Sequence, residues 1–133
     1  MIKFLYPDIS YAERKAKDVN ETSLVAMLEY DSRKILFTGD AGKITETKLA
    51  KAGILEDIDV LKVGHQGSKY SSTNEFLNKI LPEYAVISVG KNSYGHPHPD
   101  AMQRLASAGA RIFRTDSDGT ITLEIRNGEL IWR

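Results

Sequence analysis

The sequence contains no cysteine and no excess of charge of either sign, and it has only three histidines. Without cysteine there is no disulfide framework and no thiolate metal site, which fits either side of a membrane. The 18 basic and 18 acidic residues balance, so overall charge does not steer the protein towards nucleic acid or an anionic membrane. Any such binding would need a local patch.

Long hydrophobic runs and internal repeats are also absent from the sequence. A transmembrane helix needs about 20 consecutive apolar residues, and the N-terminal stretch MIKFLYP is too short and too polar for a signal peptide. A length of 133 residues suits one domain with a real core. We expect one soluble domain over 1–133 without a membrane segment, with residues 1–20 as its irregular part.

Apolar runs separated by polar turns predict an α/β fold with a mixed sheet. The strands are predicted to be apolar enough for both of their faces to be covered. Strands are expected at 2–5, 23–30, 35–38, 58–63, 84–89 and 111–115, followed by a hairpin through Asn127-Gly128. Helices are expected over 42–53, 72–81 and 99–108, with a loop at 7–22 and a turn at 116–119.

Local signals refine the three predicted helices. In the first helix, Ile44, Leu49 and Ala52 can share one face. The second helix is predicted to open with a capping box, STNE at 72–75. Its inward side chains are expected to be Phe76, Leu77 and Ile80. Pro99 is suited to the first position of the third helix.

Three polar loops each follow the C-terminal end of a predicted buried strand. They are TGD (38–40), GHQGSKYSS (64–72) and GKNSYGHPHPD (90–100), and they hold all three histidines of the chain. Neighbouring parallel strands bring such loops to one edge of a sheet, where open α/β sheets bind ligands. The sequence therefore predicts a functional site at this edge.

Asp40 and His65 each have two interpretations. An aspartate directly after a strand is typical of a turn or a helix N-cap, whereas its functional alternative is a carboxylate between two metal ions. His65 could cap its own loop, but the neighbours Gly64 and Gly67 permit a side chain or ligand to approach closely. Around it, Gln66 and Ser68 offer hydrogen bonds, and Lys69 either meets an anionic substrate or is simply solvated.

The stretch GHPHPDA (95–101) reads as a shortened His-x-His-x-Asp-His chelate. Two histidines at i and i+2 can reach one metal ion in an extended segment, and prolines favour that shape. However, Asp100 in a first helical turn is stabilised by free amides and the helix dipole without any metal. His98 could be the N-cap beside Pro99, which leaves only His96 without an easy structural role.

Several separated motifs in a fixed order resemble one family. They are NETSLVAMLEY, ILFTGD, DVLKVGHQGSKYSS and PEYAVISVGKNSYGHPHPDAMQRLASAGARIFRTDSDGTITL, spanning about 20–123. Together they are similar to the metallo-β-lactamase-fold domain of ComEC-type competence (DNA-uptake) proteins and their small relatives. The resemblance implies an αββα sandwich and a bacterial-type hydrolase of phosphoesters that uses two divalent ions, zinc or manganese. It further implies DNA as a partner and a membrane-associated parent protein.

The same resemblance implies roles for individual residues. The aspartate after the TG pair bridges the metals in that family, which maps to Asp40. A histidine of the HHGS loop is a ligand, which maps to His65, although Gln66 stands in the place of the second histidine and leaves the choice between these positions open. The YGHPH loop belongs to the rim of the site, so His96 and His98 are expected to contact substrate. The expected substrate-binding residues are Gln66, Ser68, Lys69 and Tyr94.

The main chelate of the family lies upstream of the TGD strand, yet no histidine precedes Asp40 here. We therefore expect about half of the sandwich, its C-terminal half, with helices on one face of the sheet and weak or absent metal binding. One reading is a fragment of a metal-dependent phosphodiester hydrolase. Its alternative is a non-catalytic module that pairs with the missing half, or with itself, through an exposed sheet face. A plain α/β domain with incidental histidines is disfavoured by the ordered motifs.

Overall fold

The computed structural model describes residues 1–7 and 18–133. Short 3-10 turns lie at Val19–Thr22 and Gly64–Gly67. The strands and helices follow the predicted order of a hairpin, then alternating helices and strands, then a second hairpin. They are β1 (Ile2–Tyr6), β2 (Val25–Tyr30), β3 (Arg33–Phe37), α1 (Lys43–Ala52), β4 (Val60–Lys62), α2 (Asn74–Ile80), β5 (Tyr84–Ile87), α3 (Pro99–Ser107), β6 (Arg111–Arg114), α4 (Thr115–Asp118), β7 (Leu123–Arg126) and β8 (Glu129–Trp132).

Strands β1 to β6 form one sheet in the order of the sequence. The pairs β1–β2 and β2–β3 are antiparallel, whereas β3–β4, β4–β5 and β5–β6 are parallel. The predicted α/β fold with a mixed sheet is therefore confirmed. Because β3, β4 and β5 run in the same direction, the loops that follow them leave the same edge of the sheet.

The core lies between one face of the sheet and the helices. Alternate strand residues point to opposite faces, and one set packs with helix side chains into a single cluster. The inward Phe76, Leu77 and Ile80 of α2 are confirmed, at 1%, 1% and 0% exposure. The strand members include Val25, Met27, Leu36, Leu61 and Ile87, and α1 and α3 add Leu49 and Leu105.

The prediction that the strands are covered on both faces is wrong. On the second face, Tyr30 and Phe37 are 60% and 43% exposed. The hairpin β7–β8 lies over another part of this face, where the Trp132 ring packs 5.0 Å from that of Tyr84 and 4.6 Å from that of Phe113. An apolar cleft of about 480 Å³ remains between hairpin and sheet. The sheet thus has one face that the helices cover and one face that the hairpin covers only in part.

Two of the local predictions for the helices are wrong. On α1, Ile44 is 53% exposed and Ala52 is also exposed, while the buried side carries Glu46 beside Leu49. The capping box is not formed either, because α2 begins at Asn74 and its N-cap Thr73 makes no side-chain capping bond. The buried Glu46 carboxylate of α1 accepts the N–H groups of Ser72 and Thr73 instead.

Other boundaries differ from the prediction in smaller ways. The short helix α4 occupies most of the expected turn at 116–119. The Asp118 carboxylate in this helix accepts the Arg114 N–H at 2.7 Å. The expected loop at 7–22 contains the turn Val19–Thr22, while positions 8–17 lie outside the described residues. Among the helices that are described, none is long and apolar enough to cross a membrane.

Candidate functional site

The loops that follow β3, β4 and β5 are hydrogen-bonded to one another. The Thr38 hydroxyl donates to the Lys62 carbonyl at 2.8 Å, and the His65 N–H donates to the Gly39 carbonyl at 3.0 Å. On the other side, the N–H of His98 donates to the Gly67 carbonyl at 2.8 Å. The predicted convergence of the three loops at one sheet edge is confirmed.

Two glycines allow this close contact between loops. A Cβ on Gly64 would lie 2.8 Å from the Ala41 carbonyl oxygen, and one on Gly67 would lie 2.7 Å from the Pro97 Cβ. Gly67 also has a φ of +77°, a left-handed conformation that favours glycine. The glycines beside His65 therefore allow the neighbouring loops to approach the His65 loop closely, in agreement with the expectation that they permit close approach.

Asp40 and His65 line the same cleft, which has a volume of about 320 Å³. Asp40 is exposed, and its N–H donates to the Ser23 hydroxyl at 3.1 Å. The backbone of His65 is left-handed, with φ 47° and ψ 43°. Such a conformation is uncommon for a residue other than glycine, and strained residues cluster at functional sites. Asp18, Glu21 and Lys43 also line this cleft.

Three aromatic rings run from the surface to this cleft. Tyr94 is 81% exposed, and its ring stacks on that of His96 with 6.0 Å between centroids. The His96 ring in turn meets that of His65 edge to face at 5.5 Å. Burial lowers the pKa of His96, and the neighbouring His65 and His98 lower that pKa further. His96 therefore stays neutral at neutral pH, and its buried Nδ1 has no hydrogen-bond partner in the described structure.

His98 has the structural role that the sequence offers for it. It is the N-cap of α3, and its Nδ1 accepts the N–H of Asp100 at 3.1 Å. Pro99 occupies the first position of that helix, as predicted. The cap accounts for one ring nitrogen of His98. Its contact with substrate remains a prediction.

The other predicted substrate-binding residues differ in their access to solvent. Gln66 and Lys69 are exposed, and the Lys69 ammonium lies 5.4 Å from the centre of the Tyr70 ring. Ser68 is buried, with 3% exposure, and its hydroxyl accepts the Tyr70 N–H at 3.3 Å. The structure therefore places Gln66 and Lys69 on the surface of the loop and Ser68 beneath it.

Glu46 and Arg104 both bind backbone groups of the loop after β4, and the sequence analysis missed both. The Glu46 carboxylate, 2% exposed, accepts the N–H groups of Ser72 and Thr73 at 2.6 and 2.8 Å. The Arg104 guanidinium donates to three backbone carbonyls of the same segment. No local sequence signal marks either role, because the partners lie 26 or more positions away.

Lys62 is a further residue that the sequence analysis did not single out. It lies half-buried at the end of β4, where burial lowers the pKa of its ammonium and the charge of Asp40 opposes that effect. Its side chain lines the apolar cleft under the hairpin. A single lysine within the apolar run DVLKV was the signal available for finding it.

Comparison with known families shows the family to which this chain belongs. Residues 16–91, more than half of the chain, match the family described as the Metallo-beta-lactamase superfamily. The chain belongs to the metallo-beta-lactamase superfamily. The predicted resemblance is thereby confirmed at the level of the family.

Relatives of this metallo-β-lactamase domain are competence-type proteins. ComE operon protein 3 of Bacillus subtilis (strain 168) is 40% identical over 109 residues, which are 81% of this chain and 14% of the relative. Competence protein ComA of Neisseria gonorrhoeae is 37% identical over 128 residues, 95% of this chain and 18% of the relative. Recombination protein 2 of Haemophilus influenzae (strain ATCC 51907 / DSM 11121 / KW20 / Rd) is 35% identical over 103 residues, which are 77% of this chain and 13% of the relative. The chain thus spans less than a fifth of the length of these relatives.

The superfamily typically binds zinc, so the donor set of this metallo-β-lactamase domain bears on its chemistry. Catalytic zinc sites use three protein ligands and an open position. Across residues 1–7 and 18–133, however, no group of three or more His, Asp or Glu side chains could hold a metal ion. Asp40 and His65 share a cleft with Asp18 and Glu21, but these side chains do not form a set of three that could hold an ion. The described residues alone do not fit a metal centre.

Proposed function

We propose that this chain forms one part of a phosphoester-hydrolysing site in a competence-type protein. The observation that carries the proposal is the placement of Asp40 and His65, from loops of adjacent strands, in one cleft. A partly buried His96 and an exposed Tyr94 continue from that cleft to the surface. Membership of a superfamily that consists mostly of hydrolases supports the same chemistry.

Within this proposal, Asp40 and His65 are two ligands of a divalent ion, zinc or manganese, and the remaining ligands come from outside the described residues. Neutral His96 is suited to contact the substrate or leaving group, because it can accept or donate a hydrogen bond. Lys69 offers a positive charge to a phosphate, and Tyr94 offers an exposed ring. For the complete protein we propose DNA as the phosphodiester, in keeping with its competence-type relatives, and an association with the membrane.

Hydrolysis of bis(p-nitrophenyl) phosphate tests the assignment of Asp40 and His65. The assay uses the longest natural polypeptide that contains this chain, with Zn²⁺ or Mn²⁺ present. Each of Asp40→Asn and His65→Ala is expected to lower kcat/KM by about 100-fold or more, because losing even an outer partner of a metal ligand costs 10- to 100-fold. Asp57→Asn, on an exposed acid outside the site, is the control and should keep the wild-type rate.

Two different results would contradict this proposal. Full activity of both site variants would reject the roles of Asp40 and His65. Absence of any metal-dependent hydrolysis in the wild-type polypeptide would reject the hydrolytic function itself.

We also propose an alternative function, a non-catalytic assembly module. It is favoured by the absence of a three-ligand group within the described ranges and by exposed apolar side chains on the second sheet face. Phe4, Tyr30 and Phe37 are 69%, 60% and 43% exposed there. Exposed apolar patches of this kind mark interaction sites. The missing part of the domain or a second copy would be the partner.

Thermal unfolding of the longest natural polypeptide that contains this chain, with and without excess Zn²⁺ or Mn²⁺, separates the two functions. A ligand that binds only the folded state raises Tm, with about 2.7 kcal/mol of stabilisation at a hundredfold excess over Kd. The hydrolytic proposal expects a rise in Tm that the Asp40→Ala, His65→Ala double variant abolishes. The assembly proposal expects no response to metal in a well-folded sample.

A further inference from the structure

The segment 90–96 carries Tyr94 and His96, yet it lies outside the regular helices and strands. Backbone amides and carbonyls of such a segment need other hydrogen-bond partners. In this loop one side chain supplies them. Asn92 makes four hydrogen bonds, all to the backbone of its own loop.

These four bonds use the full capacity of the Asn92 amide. Its Nδ2 donates to the carbonyls of Gly90 at 2.9 Å and His96 at 2.8 Å. Its Oδ1 accepts the N–H groups of Tyr94 at 3.1 Å and His96 at 3.0 Å. An asparagine side chain has two donor hydrogens and one oxygen with two acceptor positions, so every position is filled.

The bonds converge on His96, whose N–H and carbonyl are both held by the same side chain. The His96 ring has no comparable anchor, since its buried Nδ1 lacks a partner within the described structure. The centre of the His96 ring lies 5.5 Å from that of His65 and 6.0 Å from that of Tyr94. This placement therefore depends on where the backbone of His96 is fixed. Asn92 itself is half-buried, and its bonds all go to the backbone of its own loop.

We propose that Asn92 is a positioning residue that sets the His96 ring against His65 and Tyr94 at the candidate site. It acts through the backbone of 94–96 and does not itself need to touch a substrate. The role of this arrangement in hydrolysis rests on the proposed function, whereas the arrangement of the rings does not. Small displacements of reacting groups can lower rates by about 100-fold, so such a residue has a measurable effect.

A series of substitutions resolves the contribution of the four bonds. Asn92→Ala removes all of them, whereas Asn92→Asp keeps the two accepted bonds and loses the two donated ones. Asn78→Ala, on an exposed asparagine of α2, is the matched control. The first readout is the nuclear Overhauser effect between the ring protons of His65 and His96 in the isotope-labelled chain. The second is kcat for bis(p-nitrophenyl) phosphate, measured on the longest natural polypeptide that contains this chain, with Zn²⁺ or Mn²⁺ present and well below the Tm of every variant.

We expect the Overhauser effect to disappear in Asn92→Ala, to weaken in Asn92→Asp and to persist in Asn78→Ala. We expect kcat to fall by about 10- to 100-fold in Asn92→Ala, an effect that lost stability alone would not produce at that temperature. An unchanged Overhauser effect in folded Asn92→Ala overturns the proposal. Should that variant not fold, full intensity in Asn92→Asp overturns it. Loss of the Overhauser effect without any wild-type hydrolysis supports the positioning role and rejects only the proposed hydrolytic function.

Discussion

Glu46→Ala is expected to lower the free energy of unfolding by about 2–5 kcal/mol, because each buried N–H left without a partner costs about 1–3 kcal/mol. The carboxylate accepts the amides of Ser72 and Thr73, which lie between the candidate-site loop and α2. Thr73 is the N-cap of α2, and its own side chain makes no capping bond. Chemical denaturation monitored by circular dichroism measures the loss, and the Tm should fall by roughly 10 °C or more.

Two further variants separate hydrogen bonding from other effects of this change. Glu46→Gln keeps one acceptor oxygen and should lose less stability, about 1–3 kcal/mol. Glu83→Ala, on an exposed acid, should stay within about 0.5 kcal/mol of wild type. Equal stability of Glu46→Ala and the wild type would show that the two amides are satisfied in another way.

The charge of Glu46 gives stability a dependence on pH with a definite sign. Burial raises the pKa of Glu46, although the hydrogen bonds from Thr73 and Ser72 and the charge of Arg104 oppose that effect. The folded state therefore binds this proton more tightly than the unfolded state. Its contribution is fully present below the unfolded pKa and is lost as pH rises through the folded pKa. Glutamine does not titrate, so the Glu46→Gln variant should lose less stability than the wild type as pH rises through this range. Denaturation midpoints of both proteins at a series of pH values measure the difference.

Gly67→Ala is expected to destabilise the fold by about 2–4 kcal/mol, through two costs that act together. The new Cβ would lie 2.7 Å from the Pro97 Cβ and 3.2 Å from its Cα, and overpacking of this kind costs about 1–3 kcal/mol. The left-handed φ of +77° adds about 1–2 kcal/mol for a residue with a Cβ. The collision pushes the 96–98 loop away from the His65 loop.

Gly90→Ala is the matched control for this collision. Nothing lies within 4 Å of a Cβ built on Gly90, and its φ lies outside the left-handed range. We expect it to be neutral or to stabilise the fold by a few tenths of a kcal/mol, because alanine restricts the unfolded chain. Urea denaturation of both variants gives the comparison. Equal stability of the two variants would mean that the loops relax around Gly67 without loss.

Sequence patterns predicted the order of strands and helices because those patterns depend on neighbouring residues. Pro99 begins α3 and Asn127-Gly128 forms the hairpin turn, since proline fixes φ and the pair suits a tight turn. The convergence of the loops after β3, β4 and β5 also follows from the sequence, because parallel neighbours end at one sheet edge. Sequence patterns could not predict the roles of Glu46 and Asn92. Those roles depend on how the backbone folds around the Glu46 carboxylate and the Asn92 amide.

By itself, then, the sequence determined the α/β class, the family and the edge of the sheet at which Asp40 and the histidines gather. Only the tertiary structure decided which sheet face is closed, that Glu46 is buried and that Ser68 lies beneath its loop. The physical reason is distance along the chain. Periodicity and turn propensity act over a few residues, whereas the Glu46 carboxylate meets amides 26 and 27 positions away. Such contacts exist only once the helices have packed against the sheet.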